Sequence, residues 1–307
     1  MDISILSSTY DRAHELSRTL EAFCKLDVQG LQWEIIIIDN AAYPLTQQLI
    51  QNFQNRLPIQ YISFPQKGKS RALNVGLPLV KGELIVFTDD DVIPKENWLK
   101  ELWEGSKRWP EHSIFGGRIL VERPEIIPEE FKKLKHYHLA YAIADWPMGE
   151  GPYTAYHVFG PNFAVRKKII TDEVRFNPDV GVGAFFPMGV ETEFLLRLKQ
   201  KGHTPVYLPK ALVYHQIRSE QITLKWLYQR AFNGGRAVVF ESQNYQNVKI
   251  LGIPRYLIRQ WISSWFQTMI TDIFRKKVSR IEKREYFYRV CGQIYQYWKL
   301  KNYAKLA

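Results

Sequence analysis

Apolar residues in the first third of the chain come in short unbroken runs rather than in alternation. Ile35-Ile36-Ile37-Ile38 and Leu84-Ile85-Val86-Phe87 each place four in succession. Runs of this length, rich in β-branched residues, predict strands covered on both faces, as in a parallel sheet. Residues 3–9 and Ile59-Gln60-Tyr61-Ile62 read as two more strands. Between them the period changes: Leu16, Leu20 and Phe23 recur at helical spacing, 45–57 is helical in pattern, and 67–76 opens a third helix. Strand and helix alternating through short links predict a mostly parallel α/β sheet with helices on both faces.

Both unbroken runs stop in acid. Asp39 follows the first, and Asp89-Asp90-Asp91 follow the second. Ligands of open α/β sheets bind at the carboxyl edge of the strands, so these carboxylates stand where chemistry is expected. Three adjacent anions repel, and oxygen ligands favour Mg²⁺ or Mn²⁺ over zinc. If the segment stays extended, Asp89 and Asp91 share one side and Asp90 faces another way. A polar turn capping the helix near Trp98 accounts for the same residues without a metal. Lys67-Gly68-Lys69-Ser70-Arg71 adds cations that could meet a diphosphate, although it lacks the earlier glycine of a P-loop.

Further along, Ser113–Ile119 and the stretch from His157 to Arg166 read as strands, and 124–152 is rich in Pro, aromatics and His without a recognisable pattern. Residues 176–183 are turn-rich and expected to be mobile. Phe194, Leu195 and Leu198 share one side of a helix whose first turn carries Glu191 and Glu193, where the helix dipole alone favours acids. Residues 202–215 lead through a strand to His215. After Arg218 the pattern is helical: 224–240 with a break expected near Asn233-Gly234-Gly235, then an amphipathic helix from Leu257 to Phe274, then Arg275-Lys276-Lys277 and more helix.

Whole-chain numbers narrow the classes. With 307 residues, 46% of them hydrophobic and 24% charged, the chain has ample core material. Cys24 and Cys291 are the two cysteines, too few and too far apart for a disulfide framework or a zinc site. A reducing cytoplasmic location is expected, with no signal peptide and no spanning helix. The net charge of +11 is concentrated from Lys210 onward, where 18 Lys and Arg face 5 Asp and Glu. Such a segment suits phosphates, and with Trp and Tyr between the cations it suits the anionic cytoplasmic face of the plasma membrane. Packing of its apolar face onto protein is the alternative. No nucleic-acid-binding motif accompanies the charge.

Ser8-Thr9-Tyr10-Asp11-Arg12, Ile38-Asp39-Asn40, Gly68 through Asn74 with Gly76, and Thr88-Asp89-Asp90-Asp91 with Pro94 and Trp98-Leu99 resemble the nucleotide-binding half of family 2 glycosyltransferases. The resemblance implies a GT-A fold over 1–217, a helical region over 218–307, and inverting transfer from a nucleotide diphosphate sugar, expected to be a UDP-sugar. It implies donor contacts from Ser8, Thr9, Tyr10, Arg12, Asp39, Lys69, Arg71, Asn74, Asp89 and Asp90, with Asn162 lining the sugar. It further implies Mn²⁺ or Mg²⁺ on Asp91 with Asp89 and His215, and a base at Glu191 with Glu193 as its competitor. Leu73 departs from the Arg common in relatives, which shifts the diphosphate contact to Lys69 or Arg71. The acceptor is expected to be a saccharide or a lipid-linked sugar in cell-surface polysaccharide or glycolipid synthesis. A nucleotidyltransferase acting on a sugar phosphate, and a non-catalytic membrane- or polymer-binding protein, are the rival readings.

Overall fold

Ile3–Thr9 (β1), Trp33–Asp39 (β2), Ile59–Ser63 (β3) and Leu84–Thr88 (β4) lie side by side in the order β3-β2-β1-β4, all parallel. The sheet continues with Val92–Pro94 (β5), Ile114–Val121 (β6), Gly151–Pro152 (β7), Phe163–Arg166 (β8) and Pro205–His215 (β9). Strand β8 runs antiparallel between β4 and β6, β9 runs parallel to β6, and β5 and β7 pair with β9 in the opposite sense. The result is the expected mixed, mostly parallel sheet. Only 163–166 of the predicted 157–166 strand is extended, because the chain first turns at 159–162, where the Asn162 backbone amide donates to the Phe159 carbonyl.

The computed structural model describes residues 1–242, 248–274 and 276–303. They fall into two compact units: Met1–Glu122 with Tyr141–Ala184 and Val190–Ile217, and Arg123–Ala140 with Phe185–Gly189 and Arg218–Ala307. The helical unit therefore takes two segments, 123–140 and 185–189, that the sequence reading left with the catalytic region.

In the first unit, helices Ala13–Phe23 (α1), Pro44–Phe53 (α2), Lys69–Gly76 (α3) and Trp98–Arg108 (α4) flank the sheet. Strand alternation divides its interior in two. Ile35, Ile37, Leu84 and Val86 face Leu16, Leu20, Phe53 and Trp98, whereas Ile36, Ile38, Ile85 and Phe87 face Ala72, Leu73, Phe194 and Leu195. Each strand is thus buried on both sides, which is why the runs contain no polar residue. The parallel register sets Thr9 opposite Asp39 and Ser7 opposite Thr88. One sheet edge consequently collects the ends of β1, β2 and β4.

The second unit holds Glu129–Lys132 (α5) and Tyr137–Ala140 (α6), while Val190–Gln200 (α7) returns to the first; Leu224–Ser242 (α8), Arg255–Phe274 (α9) and Lys277–Tyr303 (α10) complete the second. Contrary to the expected break at Asn233-Gly234-Gly235, α8 is continuous. The glycine serves packing instead: a Cβ on Gly235 would run into the Arg289 carbonyl of α10, and one on Gly292 into the Phe232 carbonyl of α8. Two backbones cross there at glycine contact distance. Gly235→Val is expected to destabilise this unit by about 1–3 kcal/mol, since rigid backbone must move; a lowered melting temperature checks it. Arg275 of the predicted basic cluster lies outside the described residues.

Candidate active site

Strand β4 ends at Thr88, and Asp89, Asp90 and Asp91 form the turn into β5. Because the chain turns, the alternation expected of an extended segment does not hold. Asp90 and Asp91 share a partner: Arg12 Nη1 donates to Asp90 Oδ1 at 3.0 Å and to Asp91 Oδ2 at 3.2 Å. Asp89 pairs instead with the ammonium of Lys69 at the start of α3. Asp90 is the fastened member, accepting from Thr9 Oγ1 at 2.7 Å while its carbonyl accepts from Thr19 Oγ1 at 2.9 Å. Burial pushes the Asp90 carboxyl up to about 6 despite Arg12. Burial likewise opposes the Arg12 charge, but Asp90 and Asp91 outweigh it and hold the guanidinium above its ordinary range. Asp11 before it takes a left-handed backbone, φ 53°, which Asp tolerates better than most residues.

His215, at the end of β9, brings its Nε2 to 3.5 Å from Asp91 Oδ1. Its Nδ1 lies 2.8 Å from the Tyr141 carbonyl. In the neutral ring Nδ1–H donates to that carbonyl, which leaves the Nε2 lone pair facing Asp91. Burial lowers the imidazole's affinity for a proton, but Asp91 and the carbonyl more than restore it, so its pKa sits above the usual histidine value. Among the described residues no group of three or more His, Cys, Asp and Glu side chains forms a metal cage. One carboxylate and one imidazole fit a hard divalent cation that takes its remaining ligands from water and substrate phosphates.

The two acids of α7 are divided by their surroundings. Glu193 is buried and doubly bonded to Arg197, with Nε at 2.6 Å and Nη2 at 3.0 Å, and Arg197 is itself anchored to the Arg175 carbonyl at 2.6 Å. Glu191 lines a pocket with Lys69, Thr88, Gly160, Phe163 and Phe176. A Cβ on Gly160 would lie 3.3 Å from Lys69 Nζ and 3.6 Å from Glu191 Oε2. The missing side chain lets backbone approach both charges. Burial would lower the Lys69 ammonium, but Asp89 and Glu191 raise it above its ordinary value. A cation and a carboxylate on one pocket wall can hold a phosphate and accept a proton.

The family profile described as "Glycosyl transferase family 2" matches residues 4–171 of the 307. The chain belongs to glycosyl transferase family 2. This transferase is 30% identical over 236 residues to the dolichol-phosphate mannosyltransferase of Pyrococcus furiosus, covering 74% of this chain and 64% of that one. It is 26% identical over 99 residues to the poly(ribitol-phosphate) beta-N-acetylglucosaminyltransferase TarS of Staphylococcus aureus, covering 31% of this chain and only 17% of that relative. Its fold is that of the TarS 1-349 structure in complex with UDP-GlcNAc, at TM-score 0.57 and 13% identity over 100% of this chain and 92% of that one. The mannosyltransferase PcManGT from Pyrobaculum calidifontis, in complex with GDP-Man and Mn²⁺, gives TM-score 0.65 at 14% identity over 97% of this chain and 87% of that one. Those two neighbours hold nucleotide sugars and share the GT-A fold, and the enzyme class here is transferase.

In the transferase, Ser8 and Thr9 close β1 at the same edge, and Tyr10 is exposed with the Lys67 ammonium 5.2 Å from its ring centre. Asp39 is fully buried: Oδ1 accepts from the Ala41 and Ala42 amides at 3.0 and 2.9 Å, and Oδ2 accepts from the Tyr61 hydroxyl at 3.0 Å. Tyr61, pushed up to about 12 by burial and by Asp39, is a partner that the sequence reading missed. The run 59–62 marks a strand but not the neighbour its tyrosine meets. Arg71 is exposed on α3.

Two residues expected to meet the donor tie parts of the scaffold together. Asn162 is completely buried, accepting from Trp98 Nε1 at 2.9 Å and donating to the Arg118 and Ala211 carbonyls at 2.9 and 2.8 Å. It stitches α4, β6 and β9 where the register of β6 shifts between Gly117 and Arg118. Asn74 exchanges two 2.8 Å bonds with the backbone of Phe176, and Ser70 donates to the Val180 carbonyl at 2.6 Å. The turn-rich segment expected to be mobile is thereby tied to α3.

Proposed function

We propose that the transferase moves a sugar from a UDP-sugar to a hydroxyl of a saccharide or lipid-linked acceptor, inverting the anomeric carbon. The observation that carries this reading is the division of the α7 acids: Glu191 on the pocket wall beside Lys69, Glu193 locked to Arg197. Glu191 takes the proton of the attacking hydroxyl. Lys69 holds the donor's diphosphate, with Arg71 further out, and gives up part of its pairing with Asp89 as the ribose arrives. Tyr10 offers an exposed ring for the base, while Ser8, Thr9 and Asp39 shape the turn beneath it. Asp91 and His215, with Asp89 two residues before Asp91, would hold Mn²⁺ or Mg²⁺. When bound, that ion neutralises charge on the departing diphosphate. A single displacement needs no enzymic nucleophile, so positioning and charge neutralisation carry the rate.

An acceptor at the cytoplasmic face of the plasma membrane, in cell-surface polysaccharide or glycolipid synthesis, suits this chemistry. A thermal-shift and hydrolysis screen of UDP- and GDP-sugars with Mn²⁺ or Mg²⁺ tests the donor. Stabilisation by a UDP-sugar and release of UDP are expected. Preference for a GDP-sugar overturns the base assignment, and release of pyrophosphate overturns glycosyl transfer itself.

A further inference from the structure

Helix α9 turns a row of large apolar side chains to solvent. Its buried positions include Ser264 and Thr271, whose hydroxyls are satisfied by the Trp261 and Gln267 carbonyls of the same helix. Its exposed positions include Trp261, Ile262, Trp265, Phe266, Met269 and Ile270, each between 41 and 58% exposed. These fall in two adjacent rows, Trp261-Trp265-Met269 and Ile262-Phe266-Ile270, which make one continuous apolar stripe. A continuous exposed apolar patch of this kind marks an interaction surface.

The charges beside the stripe say what covers it. Exposed Arg255 and Arg259 continue the second row upstream at intervals of four and three residues. From α10, Lys283 donates to Gln267 of α9 at 2.8 Å, and Lys276 and Arg280 are exposed at the start of that helix. A stripe of Trp, Phe, Ile and Met flanked by cations matches the interfacial region of an anionic bilayer, where aromatic rings sit among headgroups and Arg and Lys meet phosphates. No helix among the described residues is long and apolar enough to cross a membrane. We propose that α9 lies in the surface of an anionic lipid bilayer, with its Trp265–Phe266 stripe in the acyl boundary and Arg255 and Arg259 on lipid phosphates. This does not depend on the catalytic reading.

Flotation of the full chain with phosphatidylcholine vesicles, with and without phosphatidylglycerol, tests it. The wild type is expected to float with the anionic vesicles and to be released by high salt. Arg255→Gln with Arg259→Gln should lower the partition coefficient about tenfold or more. The combined variant Trp265→Ser, Phe266→Ser, Met269→Ser and Ile270→Ser should stay unbound with an unchanged melting temperature. If that variant misfolds, quenching of tryptophan fluorescence by brominated lipid, strong in the wild type and reduced in Trp265→Ser alone, decides the point. Absence of wild-type flotation, or equal flotation by the variants, overturns the proposal. So does a wild-type dimer that the serine variant abolishes without any vesicle binding.

Discussion

Glu191→Gln is expected to lower the turnover of sugar transfer by roughly 10²- to 10⁴-fold, the usual contribution of a positioned general base. Donor binding should survive, because the substitution keeps the size of the side chain and leaves Lys69 and Asp89 in place; the thermal shift produced by the nucleotide sugar reads this directly. The comparison that gives the result meaning is Glu193→Gln. That change breaks the ion pair with Arg197 and disturbs the anchor to the Arg175 carbonyl, so it should lower the melting temperature while the folded fraction keeps its turnover. Near-normal turnover in Glu191→Gln, or an equal loss per folded molecule in Glu193→Gln, would remove Glu191 from the role of base.

Asp91→Asn should abolish the response of turnover to Mn²⁺ or Mg²⁺. A metal that neutralises a leaving diphosphate contributes several kcal/mol to the transition state, roughly 10³-fold in rate. His215 with Asp89, whose carboxylate is already held by Lys69, is a poor site for a hard cation, so the loss should not be recovered at high metal concentration. Asp89→Asn touches the Lys69 pair instead and should chiefly raise the KM for the donor. Metal-titrated initial rates on the two variants separate these outcomes; a metal dependence in Asp91→Asn like that of the wild type would move the ion elsewhere.

The sheet was legible because burial on both faces leaves an unmistakable mark. Ile35 to Ile38 and Leu84 to Phe87 have no polar member, since each residue meets one of two cores. The placing of acids at one edge follows from parallel register, which the helices between strands imply. Orientation within the triplet was not legible. Alternation predicts that Asp89 and Asp91 share one side, but the strand stops at Thr88, and a turn points side chains by its own dihedral angles. The partners of Asn162 and Asn74 were hidden for another reason: an amide bonded to backbone distant in sequence looks, in sequence, like an amide waiting for a sugar. The unbroken α8 carries the same lesson. Gly235 reads as a breaker until the carbonyl of Arg289 is seen to occupy the space of its missing side chain.

Arg12 has a consequence for how this domain comes into being. Because its guanidinium already bridges Asp90 and Asp91, the acid-rich edge carries its own counter-charge before any ion or nucleotide arrives. Folding on the ribosome need not wait for a divalent cation, and chelation should silence the enzyme without unravelling it. Under the proposed mechanism, the metal would then be a reagent that comes and goes with the donor rather than a structural part the protein must keep.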